Sequence, residues 1–214
     1  MNPIINRYRK IFEKEMGIDT VVIMNTGVQD PNFYYFTGFR SSLFEKNILI
    51  VKKDHSYLFT YDLEYQDAMK QRFKGIDIIK MSDEQKARKL LLKEIKGKTV
   101  GINGEFLPLN YYNRIKESYK PKRLIDISNS LTDTRLIKDN TEIANIKRAA
   151  KITKRAMQLI QKHFKVGITE VELARKFDEI SGNLGSEGPS FDTIVCFGSN
   201  AARERDISVN LFGL

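Results

Sequence analysis

The run DNTEIANIKRAAKITKRAMQLIQKHFKVGITEVELARKFDEISGNLGSEGPSFDTIVCFGSNAA, residues 139 to 202, decides how the chain is read. Its apolar positions Ile143, Ile146, Ala150, Thr153, Met157, Ile160 and Phe164 alternate three and four apart. That spacing lines one face of a helix with 3.6 residues per turn. Asp139 or Asn140 can accept the first free backbone N–H groups, and Glu142 suits the first turn. Gly167 closes this helix. Thr169 and Glu172 then form a capping box, a hydroxyl three residues ahead of a carboxylate. The second helix carries Val171, Leu173, Ala174, Phe177 and Ile180 and runs out at Gly182 and Gly185. Phe191 to Phe197 is apolar and β-branched, which predicts a strand between turn residues.

Working outward towards the N-terminus, strands and helices alternate. Asn2 to Met16 reads as an amphipathic helix and Thr20 to Met24 as a short strand. The aromatic run Asn32 to Phe39 reads as a core element. Asn47–Val51 and Tyr57–Tyr61 flank the polar connection Lys52–Ser56 and predict an antiparallel pair. Leu63–Phe73 is expected to be helical and Ile76–Ile79 a strand. Ala87, Leu90, Leu91 and Ile95 mark a helix over Asp83–Ile95. Thr99–Ile102 (strand), Leu109–Ile115 (helix) and Lys122–Ile127 (strand) complete the pattern. It specifies an α/β layer in which a mixed sheet is covered by helices. Ser128 to Asp139 reads as a short polar boundary between domains.

At this point the residues carry a resemblance. Arg135-Leu136-Ile137-Lys138-Asp139, Glu142-Ile143 and Gly167-Ile168-Thr169-Glu170 resemble the domain junction of the Xaa-Pro peptidases. So do Gly188-Pro189-Ser190-Phe191-Asp192-Thr193-Ile194-Val195 and Gly198-Ser199-Asn200-Ala201-Ala202. This is the prolidase, aminopeptidase P and creatinase family; Phe36-Thr37-Gly38-Phe39 resembles the aromatic-Thr-Gly-Phe signature of its N-terminal domain. The resemblance implies a creatinase/prolidase-like N-terminal domain over 1–135, with a mixed sheet flanked by helices. It also implies the first helices and strand of a pita-bread catalytic domain over 136–202. After Asn-Ala-Ala the family continues with Pro-His and, further along, two aspartates, a histidine and two glutamates that bind metal. Here Arg205 stands where that histidine would, so 203–214 reads as an aberrant tail and the chain as truncated before the metal-binding motifs. In intact members two divalent ions, such as manganese or cobalt, serve hydrolysis; none is expected in this chain. The resemblance further implies a homodimer, a proline-containing peptide as substrate, and Phe191 and Ile194 bordering the pocket for its proline side. The alternative for those two residues is strand core.

Composition narrows the partners. The chain has 214 residues and a formal charge of +9. Residues 1–135 hold 24 basic and 17 acidic side chains, dispersed among one another. Without zinc-finger spacing or a Gly-aromatic motif, that excess describes a solvated lysine-rich surface rather than a nucleic-acid face. No apolar run is long enough for a bilayer, and residues 1–17 are too charged for a signal peptide, so a cytoplasmic location is expected. A single cysteine, Cys196, excludes an internal disulfide and reads as a small buried side chain.

With two histidines, a histidine-rich metal centre is impossible. His55 falls in the hairpin turn and reads as solvated. His163, near the end of the long helix, suits the helix C-terminal dipole. Glu142, Glu170 and Glu172 belong to first turns, and the adjacent Asp178 and Glu179 point apart. Gly182, Gly185 and Gly188 lack the lysine and the strand-to-helix order of a phosphate loop. The resemblance implies two functions: a metal-dependent Xaa-Pro dipeptidase or aminopeptidase, inactive as this chain alone, or a non-catalytic peptidase-like module that binds protein.

Overall fold

The structure, a computed structural model, describes residues 2–26, 29–39, 44–72 and 74–202. Two compact units divide at Ile137 and Lys138.

The first unit starts with α1 (Pro3–Lys14), whose first turn is closed by the Asn2 side chain accepting from the Ile4 N–H at 2.9 Å. Then come β1 (Thr20–Met24), α2 (Pro31–Thr37), β2 (Ile48–Val51), β3 (Ser56–Thr60), α3 (Asp62–Gln71) and β4 (Ile76–Lys80). Next are α4 (Glu84–Ile95), β5 (Thr99–Ile102), α5 (Leu109–Tyr119), β6 (Arg123–Asp126) and α6 (Ser128–Leu136). The sheet order is β4-β3-β2-β1-β5-β6. β2 runs antiparallel to both of its neighbours, and the other three pairings are parallel. The mixed sheet flanked by helices is as expected.

Strand side chains alternate between two cores because successive residues face opposite ways. Val21, Ile23, Leu49, Val51 and Leu58 meet Tyr8 and Ile11 of α1, Phe33 and Phe36 of α2, Ala68 of α3 and Leu131 of α6. Val22, Ile48, Ile50, Phe59, Val100 and Ile102 meet Ala87, Leu91 and Ile95 of α4 and Ile115 of α5. Helices on both faces explain why β1 and β2 are buried along their whole length. The aromatic run is a helix, capped by Asp30 and ended by Gly38 in the left-handed region at φ 68°.

The division between the units falls within Ser128–Asp139, but most of this stretch is α6, with Leu131 fully buried in the first core. Its apolar residues are too sparse for periodicity to reveal it; it is held by Leu131 in the core and by partners distant in sequence, the Thr134 carbonyl accepting from Tyr35 and Arg135 donating to Asn32.

The second unit contains α7 (Asn140–Ile160), a 3-10 turn (Gln161–His163), α8 (Glu170–Asn183) and a 3-10 turn (Gly198–Ala202). Both helices open with reciprocal capping boxes, Asp139 with Glu142 and Thr169 with Glu172. Ala156 and Ile160 of α7 are buried against Leu173 and Ile180 of α8, with Val195 packed beside them. The expected strand Phe191–Phe197 makes no ladder pairing among the described residues. A β-prone segment becomes a strand only by sharing backbone hydrogen bonds with another. The tail 203–214, including Arg205, and Phe73 at the expected end of α3 lie outside the described residues.

Candidate functional site

The segment after α8 is tied back to that helix by side chains. Glu170, the first residue of α8, accepts from the Phe197 backbone N–H at 2.6 Å and from Asn200 Nδ2 at 3.0 and 3.1 Å. The Phe197 N–H and then the Asn200 amide hold the Glu170 carboxyl below its ordinary pKa. Further along α8, Asp178 accepts from the Thr193 hydroxyl at 2.5 Å. These bonds fix which side chains turn inward. Val195 joins the small core, while Phe191 and Ile194 are 72% and 53% exposed.

Beside this segment lies an open apolar groove of about 460 Å³, lined by Phe164, Lys165, Val166, Ile168 and Phe197. Phe191 and Ile194 do not line it. Cys196 is half-buried rather than fully buried; burial, and then the Glu170 charge, push its thiol pKa up, away from a reactive thiolate. His163 sits in the 3-10 turn after α7. His55 is not simply solvated: its Nε2 lies 3.1 Å from Asp77, and its ring stands edge-on to Tyr57 at 4.8 Å.

A divalent metal pair needs several carboxylates converging on one point. Among the described residues no three His, Cys, Asp or Glu side chains form such a group. In the second unit Glu142 and Glu172 are used in capping boxes, Glu170 and Asp178 hold the loop, and Glu179 pairs with Lys176 at 2.8 Å. The donor set of the described residues does not fit two divalent ions. Sequence reasoning missed Glu170 as the anchor of the loop; its place as N1 of a capped helix was the available signal.

Comparison with known proteins agrees with this architecture. Residues 5–137 match the Creatinase/Prolidase N-terminal domain, and residues 144–206 match Metallopeptidase family M24. An uncharacterized peptidase of Staphylococcus epidermidis is 29% identical over 176 residues, 80% of this chain and 48% of that protein. The Xaa-Pro dipeptidase of Pyrococcus horikoshii is 27% identical over 203 residues, 94% of this chain and 54% of that protein. The crystal structure of the prolidase from Pyrococcus horikoshii OT3 matches with a TM-score of 0.75 at 26% identity, covering 94% of this chain and 55% of that one. The chain thus spans about half the length of the relatives it matches. With more than half of its residues matched to the family's N-terminal domain and the sheet order and helical layers to go with it, the chain belongs to the Xaa-Pro peptidase family of prolidases and creatinases.

Proposed function

We propose that this chain is the N-terminal part of an Xaa-Pro dipeptidase or aminopeptidase. Residues 1–135 are then the creatinase/prolidase-like domain, 136–202 the start of the pita-bread domain, and 203–214 a tail that departs from it. One observation carries the reading: the likeness to an Xaa-Pro dipeptidase extends over 94% of the chain, through both units. In the intact enzyme two divalent cations, held by residues outside those described, would supply Lewis-acid assistance to peptide hydrolysis. The described residues contribute packing and loop anchoring; the metal ligands belong to other sequence. Phe191 and Ile194 border the proline side of the substrate. Their exposure supports this, since an apolar side chain left in solvent is free to line a pocket for a pyrrolidine ring.

The 214-residue chain alone is expected to show no metal-dependent hydrolysis of a dipeptide ending in proline, with manganese or cobalt added. Turnover by the pure chain would overturn the assignment of the ligands to other sequence. A version joined to the metal-binding half of a relative should regain turnover, and Phe191→Ala in it should raise KM for the proline dipeptide. If the joined protein folds and binds metal yet turns over nothing, the protein-binding alternative is supported instead.

A further inference from the structure

Among the described residues of the first unit, five buried side-chain oxygens have no hydrogen-bond partner: Thr26 Oγ1, Asn47 Oδ1, Thr60 Oγ1, Glu64 Oε2 and Asn103 Oδ1. All five lie at one end of the sheet, where the parallel strands finish and β2 begins. Buried polar atoms are almost always paired, so a cluster of unpaired ones points to a partner that is not a protein side chain.

Three of them share one place. Ile48 pairs with Phe59, so the next rung sets Asn47 opposite Thr60. Leu49 and Leu58, two residues back on each strand, belong to the core that includes Ala68 of α3. By strand alternation, Asn47 and Thr60 face that same side. Glu64 lies in the first turn of α3, four residues before Ala68 and on the same helix face. Asn47 and Thr60 are completely buried, and Glu64 is 8% exposed.

The orientation of the Asn47 amide is fixed, because its Nδ2 donates to the Glu45 carbonyl at 2.8 Å and leaves Oδ1 as an acceptor. The Thr60 hydroxyl can rotate, yet finds no acceptor within hydrogen-bond reach. It therefore does not bond directly to Glu64 or to Asn47 Oδ1. A buried carboxylate requires a compensating positive charge or several donors. The neighbouring cation, Lys80, stands beside Thr60 across the β3–β4 pair but is held elsewhere. Its Nζ lies 3.2 Å from Asp62 and 4.5 Å from the centre of the Tyr65 ring.

We propose that Asn47 Oδ1, Thr60 Oγ1 and Glu64 Oε2 form a binding site for a hard, calcium-sized cation, with water filling the remaining positions. An all-oxygen set excludes metals that seek nitrogen and sulfur. An amide, a hydroxyl and a single carboxylate suit the loose coordination of calcium, and not the strict octahedron of magnesium. Sodium has calcium's size with half its charge, so the two are separated by titration. The site lies in the sheet unit and does not depend on the proposed peptidase activity.

Thermal unfolding of the full 214-residue chain, stripped with chelator in a choline buffer, tests the site. Calcium or sodium should raise the midpoint and magnesium should not. At a hundred times the dissociation constant, the folding equilibrium should shift about 100-fold towards the native state. Glu64→Gln and Thr60→Val should each abolish that shift, and Asn47→Asp, which adds a charge, should favour calcium over sodium. The proposal is overturned if no cation moves the wild-type midpoint, which would mean that water alone bridges the oxygens. It is equally overturned if the shift survives in Glu64→Gln and in Thr60→Val. Should Glu64→Gln fail to fold, Thr60→Val and Asn47→Asp still decide the matter.

Discussion

Glu94 is a buried carboxylate held between two lysines. It sits on α4 one position before Ile95, 2% exposed, and accepts from Lys52 at 2.8 Å and Lys98 at 3.1 Å. Burial works to raise its pKa, but the two lysine hydrogen bonds outweigh it and the net shift is downward. A carboxyl lowered on folding contributes stability above its unfolded pKa, and that contribution fades as pH falls through the folded value. Glu94→Gln is therefore expected to cost about 1–2 kcal/mol near neutral pH, below the full value for a buried pair because Lys52 is partly exposed. In denaturant titrations the gap to wild type should close in acid; a gap independent of pH would refute the assignment. The helix of Glu94 was legible from Ala87, Leu91 and Ile95, but its burial was not, since a carboxylate among lysines reads as solvated surface. Gly104 was equally silent. A Cβ there would stand 2.6 Å from the Asp126 carboxylate, which accepts its N–H at 3.0 Å, and such a close approach exists only after β5 and β6 have paired.

Among elements, helices with local signals were the most legible. The Thr169–Glu172 box is present as read, and of the two candidates for the first cap, Asp139 takes the role with Glu142 answering. Elements that depend on distant partners were not legible. Phe191–Phe197 has the residues of a strand without a ladder, and α6 is held by Leu131, Tyr35 and Asn32. The long stripe of α7 was correct in spacing but is only partly used. Ile160 is buried, whereas Ile146 and Met157 are 54% and 55% exposed. Large apolar side chains repeated along one helix face favour association. We expect the chain to self-associate through this face, and Ile146→Glu with Met157→Glu to lower the mass seen by light scattering. An unchanged mass for the double variant, with a wild type larger than one chain, would place the contact elsewhere.

At the scale of the molecule, the alternation of strands and helices gave the layered α/β class, while the strand order was beyond reach. Order depends on which edges meet across long stretches of chain, and the alternation of residue types is the same whichever neighbour a strand takes. Among the described residues, the buried members of the two cores of the first unit all lie at or before Leu131, so a fragment of residues 1–137 is expected to melt in a single cooperative transition. A broad, probe-dependent transition would mean that this unit needs the rest of the chain. No helix among the described residues is long and apolar enough to cross a membrane.

The central position of β1 also sets a timetable for synthesis. One side of it is covered by β2, which follows within about thirty residues, but the other waits for β5, whose Val100 pairs with Thr20. At roughly 5–20 residues per second, the ribosome leaves that side bare for roughly 3–10 s after β2 has emerged. During this interval α1, α2 and the β1–β2–β3 meander form a half-sheet whose open flank is β1, a strand buried along its whole length in the finished fold. Nascent chains halted before Thr99 should be captured by a chaperone that binds extended apolar segments, and chains halted well beyond Leu136 should escape it. Equal capture of both would mean that the flank is shielded before its permanent neighbour arrives.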